Sequence, residues 1–230
     1  MPSIPLTYAQ IVSLTSLGKS FASSDDVVAS TIRAVHVALA APVVIEGADV
    51  PPVPASLTAT ATDRFMAAVL TLPVGDNVTL EPGDLMIPVT VLTRAVALYK
   101  GDRTGVAHYV LEEVTGDGHY GVRIRDEHDG SIVGDLQPHG NFPPVGRLFP
   151  TDNVTHDIPG GVHIVAGKWS QLAGFTFPGE TVKAGKESAW RLQAAGEPNP
   201  YGKPGPVLAT RDTRDGFAVR VLIQPNLPRA

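Results

Sequence analysis

Apolar and polar positions alternate most clearly in the second half of this chain. Val122 and Ile124 alternate with Arg123 and Arg125, the period-two mark of a strand with one wet face. That strand, 120–125, pairs through Gly116-Asp117-Gly118 with an apolar run at 106–114, and Asp129-Gly130 turns it into a further strand at 131–136. A second hairpin closes the chain: 207–210 runs out, Asp215-Gly216 turns, and 217–224 returns with Phe217, Val219, Val221 and Ile223 on one face. Shorter strands are predicted at 43–45, 56–62, 77–80, 162–165 and 175–177. The stretch 86–99 is rich in Val and Thr and reads as one long strand, with Pro88 marking an edge or a bend. Residues 64–72 and 189–194 fit either periodicity.

Helical spacing is confined to the first forty residues. Tyr8, Ile11, Val12 and Leu14 predict a short helix ending near Gly18. Ser24 is placed as an N-cap, with Asp25 and Asp26 in the favourable first turn. Val28, Ile32, Val35 and Leu39 then follow at steps of four, three and four, one face of a second helix that Pro42 ends. The piece 33–37 also alternates and reads as a strand; helix is the preferred reading.

Eight to ten strands separated by turns, with some long crossings, predict an all-β fold: a β-sandwich or jelly-roll-like barrel with a partly helical N-terminal arm. The proline run 51–54 divides the chain into an arm and connector, 1–54, and a β domain, 55–230. No internal repeat is visible in the sequence.

Composition sharpens this picture. Of 230 residues, 23 are Gly and 21 Pro, which supplies the turns, and none is Cys, which removes disulfides, thiolate nucleophiles and Cys-ligated metals. The net charge is −5 and there is no basic arm, so no grip on nucleic acid by phosphate neutralisation is expected. The first residues lack the pattern of a signal peptide, and no apolar run approaches the ~20 residues needed to cross a bilayer. Only 13 charged residues fall in 1–100, against 28 in 101–230. A charge-poor surface of that extent is the composition of subunit contacts.

The concentrated chemical signal is histidine: six of the seven lie between His108 and His163. His108, His119 and His163 form the candidate metal set of a jelly-roll enzyme. No His-X-His or His-X-Asp/Glu triplet supports it, and His119, His128 and His139 adjoin turns. Leu17-Gly18-Lys19-Ser20 resembles the end of a phosphate loop, but Ser13 stands where its first glycine belongs. There is no Gly-X-Ser-X-Gly elbow. Trp169 and Trp190 could anchor a sugar or a subunit.

The expectation is therefore a non-enzymatic, cofactor-free, self-assembling β protein. A virus or phage capsid or another virion component fits best, located in the virion, with copies of itself and other virion subunits as partners. Its candidate interface residues are Val28, Ile32, Val35, Leu39, Trp169 and Trp190. The alternatives are a metal-dependent jelly-roll enzyme using the histidines, and a carbohydrate- or ligand-binding β-sandwich.

Overall fold

In the computed structural model, described for residues 3–25, 27, 29–40, 55–74, 78, 84–98, 109–116, 119–150, 166–177, 189–195, 205–212 and 217–224, eleven strands form two antiparallel sheets. The first unit of chain is β1 (Ser3–Leu6), α1 (Tyr8–Phe21), β2 (Ala34–Ala40), β3 (Ser56–Thr62) and β4 (Met66–Pro73). The second repeats that order: β5 (Asp84–Pro88), α2 (Val89–Leu98), β6 (Tyr109–Gly116), β7 (His119–Asp126) and β8 (Ile132–Leu136). A third follows with α3 (Ala166–Gly174), β9 (Arg191–Ala194), β10 (Val207–Asp212) and β11 (Ala218–Ile223).

The first two units exchange their leading strands. β1 pairs with β6, giving the order β1-β6-β7-β8, and β5 pairs with β2, giving β5-β2-β3-β4. The third unit joins the second of these sheets through its last strand, so β4 lies against β11 and the sheet continues as β11-β10-β9. The mostly-β expectation holds. The jelly-roll order does not, because each of the first two units forms a three-strand meander completed by a strand borrowed from the other. The repeat is invisible in the sequence because it lies in topology rather than in shared residues. β1 and β2, from the expected N-terminal arm, are members of the two sheets, while the connector 51–54 lies outside the described residues.

One hydrophobic core runs from the inner face of one sheet, through α1 and α2, to the inner face of the other. Ile11, Leu14, Leu17 and Phe21, spaced on one helical face, have no exposed surface. Full burial of each contributes about 1.5–3 kcal/mol. Thr7 caps α1 through a capping box: its hydroxyl accepts from Gln10 N at 3.2 Å, and its own N–H donates to Gln10 Oε1 at 2.8 Å.

Two helix assignments are corrected. The helix expected from Ser24 over Val28, Ile32, Val35 and Leu39 is a 3₁₀ turn, Ser30–Arg33, followed by β2; Val28 itself lies outside the described residues. The alternating reading of 33–37 prevails because Val35 and Val37 face the core between β3 and β5. Conversely, the long strand expected over 86–99 splits at Pro88. β5 ends there and α2 begins, burying Val91, Leu92 and Ala95 at helical spacing. Packing against α1 overrides the strand preference of the β-branched residues. Gly18 does not end α1. A Cβ there would lie 2.8 Å from Val89 Cγ2 and 3.0 Å from Val35 Cγ2, so glycine admits α2 and β2 to close contact with the helix.

Candidate functional site

The three helices share a charge pattern. α1, α2 and α3 each carry one basic residue, Lys19, Arg94 and Lys168, and no acidic one; all 23 Asp and Glu lie elsewhere in the sequence. Lys19 and Arg94 are exposed. Lys19 also lines a cleft of about 530 Å³ with Arg33, Thr90 and Asp135, where the end of α1 meets the start of α2 and the end of β8. In a chain of net charge −5 each of the three helices thus carries a single positive charge, that of Lys168 being paired with Asp63.

Lys168 is held by an anchor. Asp63, in the β3–β4 turn, accepts from Phe65 N at 2.9 Å and Met66 N at 2.7 Å through Oδ1. Its Oδ2 accepts from Lys168 Nζ and, at 3.1 Å, from Gln171 Nε2, which ties α3 to the turn. Burial pushes the Asp63 carboxyl up, but the bonds from Lys168, Met66, Gln171 and Phe65 outweigh it and hold it below the usual carboxylate range. Arg64, next in the turn, has φ 81°, and Phe65 stands 62% exposed.

Phe65 borders a second, apolar cleft of about 280 Å³ at the β4·β11 seam, with Ile32, Met66, Val145, Leu148 and Leu222. The segment 142–149 forms its far wall. Phe149 there covers Ala67, Leu208 and Leu222 on the outer face of the sheet, and Arg220 reaches over the Phe149 ring to donate to Pro150 O at 2.8 Å. Leu148 is 62% exposed at the rim.

Of the candidate interface residues, Val35 and Ile32 are buried within the chain, and Leu39 packs at the edge of the core. Trp190 is part of an aromatic cluster with Phe175, while Arg211 stacks over both Trp190 and Phe177. Trp169 is 41% exposed on α3. His108 and His163 lie outside the described residues, as does the side chain of His119, which opens β7. Among the described residues no group of three metal-ligating side chains exists. His36 stacks on Phe142 at 4.9 Å, and His128 and His139 are exposed in turns. No helix among the described residues is long and apolar enough to cross a membrane.

No protein-family model matches the chain, and no curated protein matches it. Solved structures do. The C. crescentus beta sliding clamp superposes over 98% of this chain and 65% of its own, with a TM-score of 0.62 and 14% identity. The structure titled Caulobacter crescentus pol III beta covers 98% of this chain and 66% of its own, at TM-score 0.58 and 15% identity. The Helicobacter pylori beta clamp bound to a DNA ligase peptide covers 99% and 67%, at 0.59 and 11%. The chain thus spans about two thirds of these clamp subunits, and at such identities the likeness is one of fold.

That likeness overturns the capsid and virion reading, together with its virion-subunit partners and virion location: the fold matches polymerase clamps. The composition misled because turn-dense, charge-poor β sequence does not separate one β architecture from another.

Proposed function

We propose that this chain is a subunit of a sliding-clamp-type ring that encircles duplex DNA and acts without catalysis. The observation that carries this reading is the fold, which matches clamp structures over 98% of the chain. The charge partition supports it, since a helix layer with Lys19 and Arg94 and no carboxylate suits a polyanion passing alongside. An acidic protein can hold DNA in this way, because an enclosing ring retains its ligand by topology and needs only weak, sliding phosphate contacts.

β8 supplies the means of extension. It occupies in the second unit the place that β4 and β11 hold in theirs, and those two strands join edge to edge. β8 presents a free edge among the described residues and carries exposed Ile132 and Leu136. An uncovered apolar edge strand is a joining surface. The seam cleft beside Phe65 and Leu148 is suited to an apolar peptide segment, and the H. pylori clamp is described as bound to a DNA ligase peptide.

Electron microscopy of the purified chain tests the proposal. Closed rings with an opening that admits a duplex are expected. Filled particles or hollow shells would overturn it.

A further inference from the structure

After β8 the chain crosses the outer face of the seven-stranded sheet as a strap, 137–150. Gln137 Oε1 accepts from Met86 N at 2.9 Å on β5, Phe142 stacks on His36 of β2 with ring centroids 4.9 Å apart, and Phe149 reaches the β4·β11 seam. Within this strap only Phe149 is buried, at 7% exposure. Its phenyl group fills a hydrophobic cluster apart from the main core, formed with Ala67, Leu208 and Leu222. The apolar cleft beside Phe65 shares Ala67 and Leu222 with that cluster, and Val145 of the strap borders both. Phenyl pocket and cleft are therefore one continuous apolar surface.

The hold on the strap is made by side chains. The backbone hydrogen bonds described for 142–149 stay inside the segment: Val145 N donates to Pro143 O at 2.7 Å, Arg147 N to Pro144 O at 3.2 Å and Phe149 N to Gly146 O at 3.3 Å. No described strand pairs with it. His36 holds it at one end and Arg220, donating to Pro150 O, at the other, so it lifts as a unit without breaking a ladder bond. We infer that the segment 142–150 is an internal occupant of a binding site. Phe149 fills, from within the chain, the pocket that takes an aromatic side chain of a partner's apolar peptide, and the partner must displace it. The ligand chemistry is that of the present occupant, an aromatic group set against Ala67, Leu208 and Leu222. This inference rests on the reading of the seam cleft as a peptide site and adds its regulation; it does not depend on closure around DNA. An outside peptide then meets an open site only in the fraction of molecules whose strap is lifted, and its apparent affinity falls by that fraction.

The probe is a fluorescent peptide with the sequence of residues 142–150, Phe-Pro-Pro-Val-Gly-Arg-Leu-Phe-Pro. Its anisotropy is titrated with the full wild-type chain and with the full chain carrying Phe149→Ala, which empties the phenyl pocket. Binding to Phe149→Ala at least ~10-fold tighter than to wild type is expected. A peptide with alanine in place of its second phenylalanine should lose that binding. Phe142→Ala keeps Phe149 in its pocket and frees only the His36 end of the strap. It should give a smaller gain, and it carries the test alone if circular dichroism shows Phe149→Ala to be unfolded. Equal binding to wild type and to the folded variants would overturn the inference while leaving the cleft a peptide site. Binding to none of them would overturn the inference and the cleft reading together. The expected order of affinities, in a chain that never forms closed rings, would uphold the inference while rejecting the clamp reading.

Discussion

Among single residues, Asp63 and Gly18 do the most to position the helix layer. Asp63 satisfies two backbone N–H groups of its own turn and two side chains of α3. Asp63→Ala is expected to cost about 1.5–3 kcal/mol, the range for hydrogen bonds to a charged group. Its carboxyl is held low in the folded state, so its contribution is full above the unfolded value near pH ~3.9 and is lost as pH falls through the folded value. Urea unfolding from pH 3 to pH 7 should show the gap between wild type and Asp63→Asn wide at pH 7 and closing in acid; a gap independent of pH would contradict this. At Gly18 the nearest neighbours are Val89 and Val35, whose β-branched side chains have few rotamers to retreat to. Gly18→Val should destabilise by about 1–3 kcal/mol despite valine's lower backbone entropy cost. That corresponds to a fall in Tm of about 2–4 °C per kcal/mol for a chain of this size. Neither role is written in the local sequence. Asp63 meets Lys168 across 105 positions, and Gly18 reads as a helix stop until α2 is seen to pass over it.

Among the elements, legibility followed the local signal. The hairpins β6–β7–β8 and β10–β11 are readable because Asp-Gly pairs punctuate the sequence between segments that alternate. α2 was not, because Val89, Thr90, Val91, Thr93 and Val96 favour strands in isolation and only the core packing of Val91, Leu92 and Ala95 makes them helical. β2 was misread because Val28, Ile32, Val35 and Leu39 fit a helix by spacing alone. The seam between β4 and β11, the β8 edge and the clefts join elements distant in sequence, beyond the reach of any local pattern. The seam has a test of its own. Phe149, 7% exposed, seals the outer face over Ala67, Leu208 and Leu222. Phe149→Ala should cost about 3 kcal/mol. Hydrogen exchange should rise first in β4 and β11; protection lost instead in β6 and β7 would contradict the assigned packing.

For the whole molecule, the proposed function rests on topology. The first two units lend each other a strand, and the third joins them through β4 and β11; on the proposed reading, further joining at β8 extends this arrangement into a ring. The proposal assigns phosphate contact to Lys19 and Arg94, on helices without carboxylates, while the molecule as a whole stays acidic. Lys19→Glu with Arg94→Glu should weaken DNA association several-fold at low salt. It should also flatten the dependence on salt by about one unit of slope for each phosphate no longer neutralised. An unchanged slope would remove the helices from the interface. Encirclement itself is tested by comparing retention on closed circular and linear duplex DNA of the same sequence, after a wash at high salt. The chain should stay with the circle and be released when a single cut opens it. Equal retention on both forms, or none on either, would contradict a ring closed around DNA.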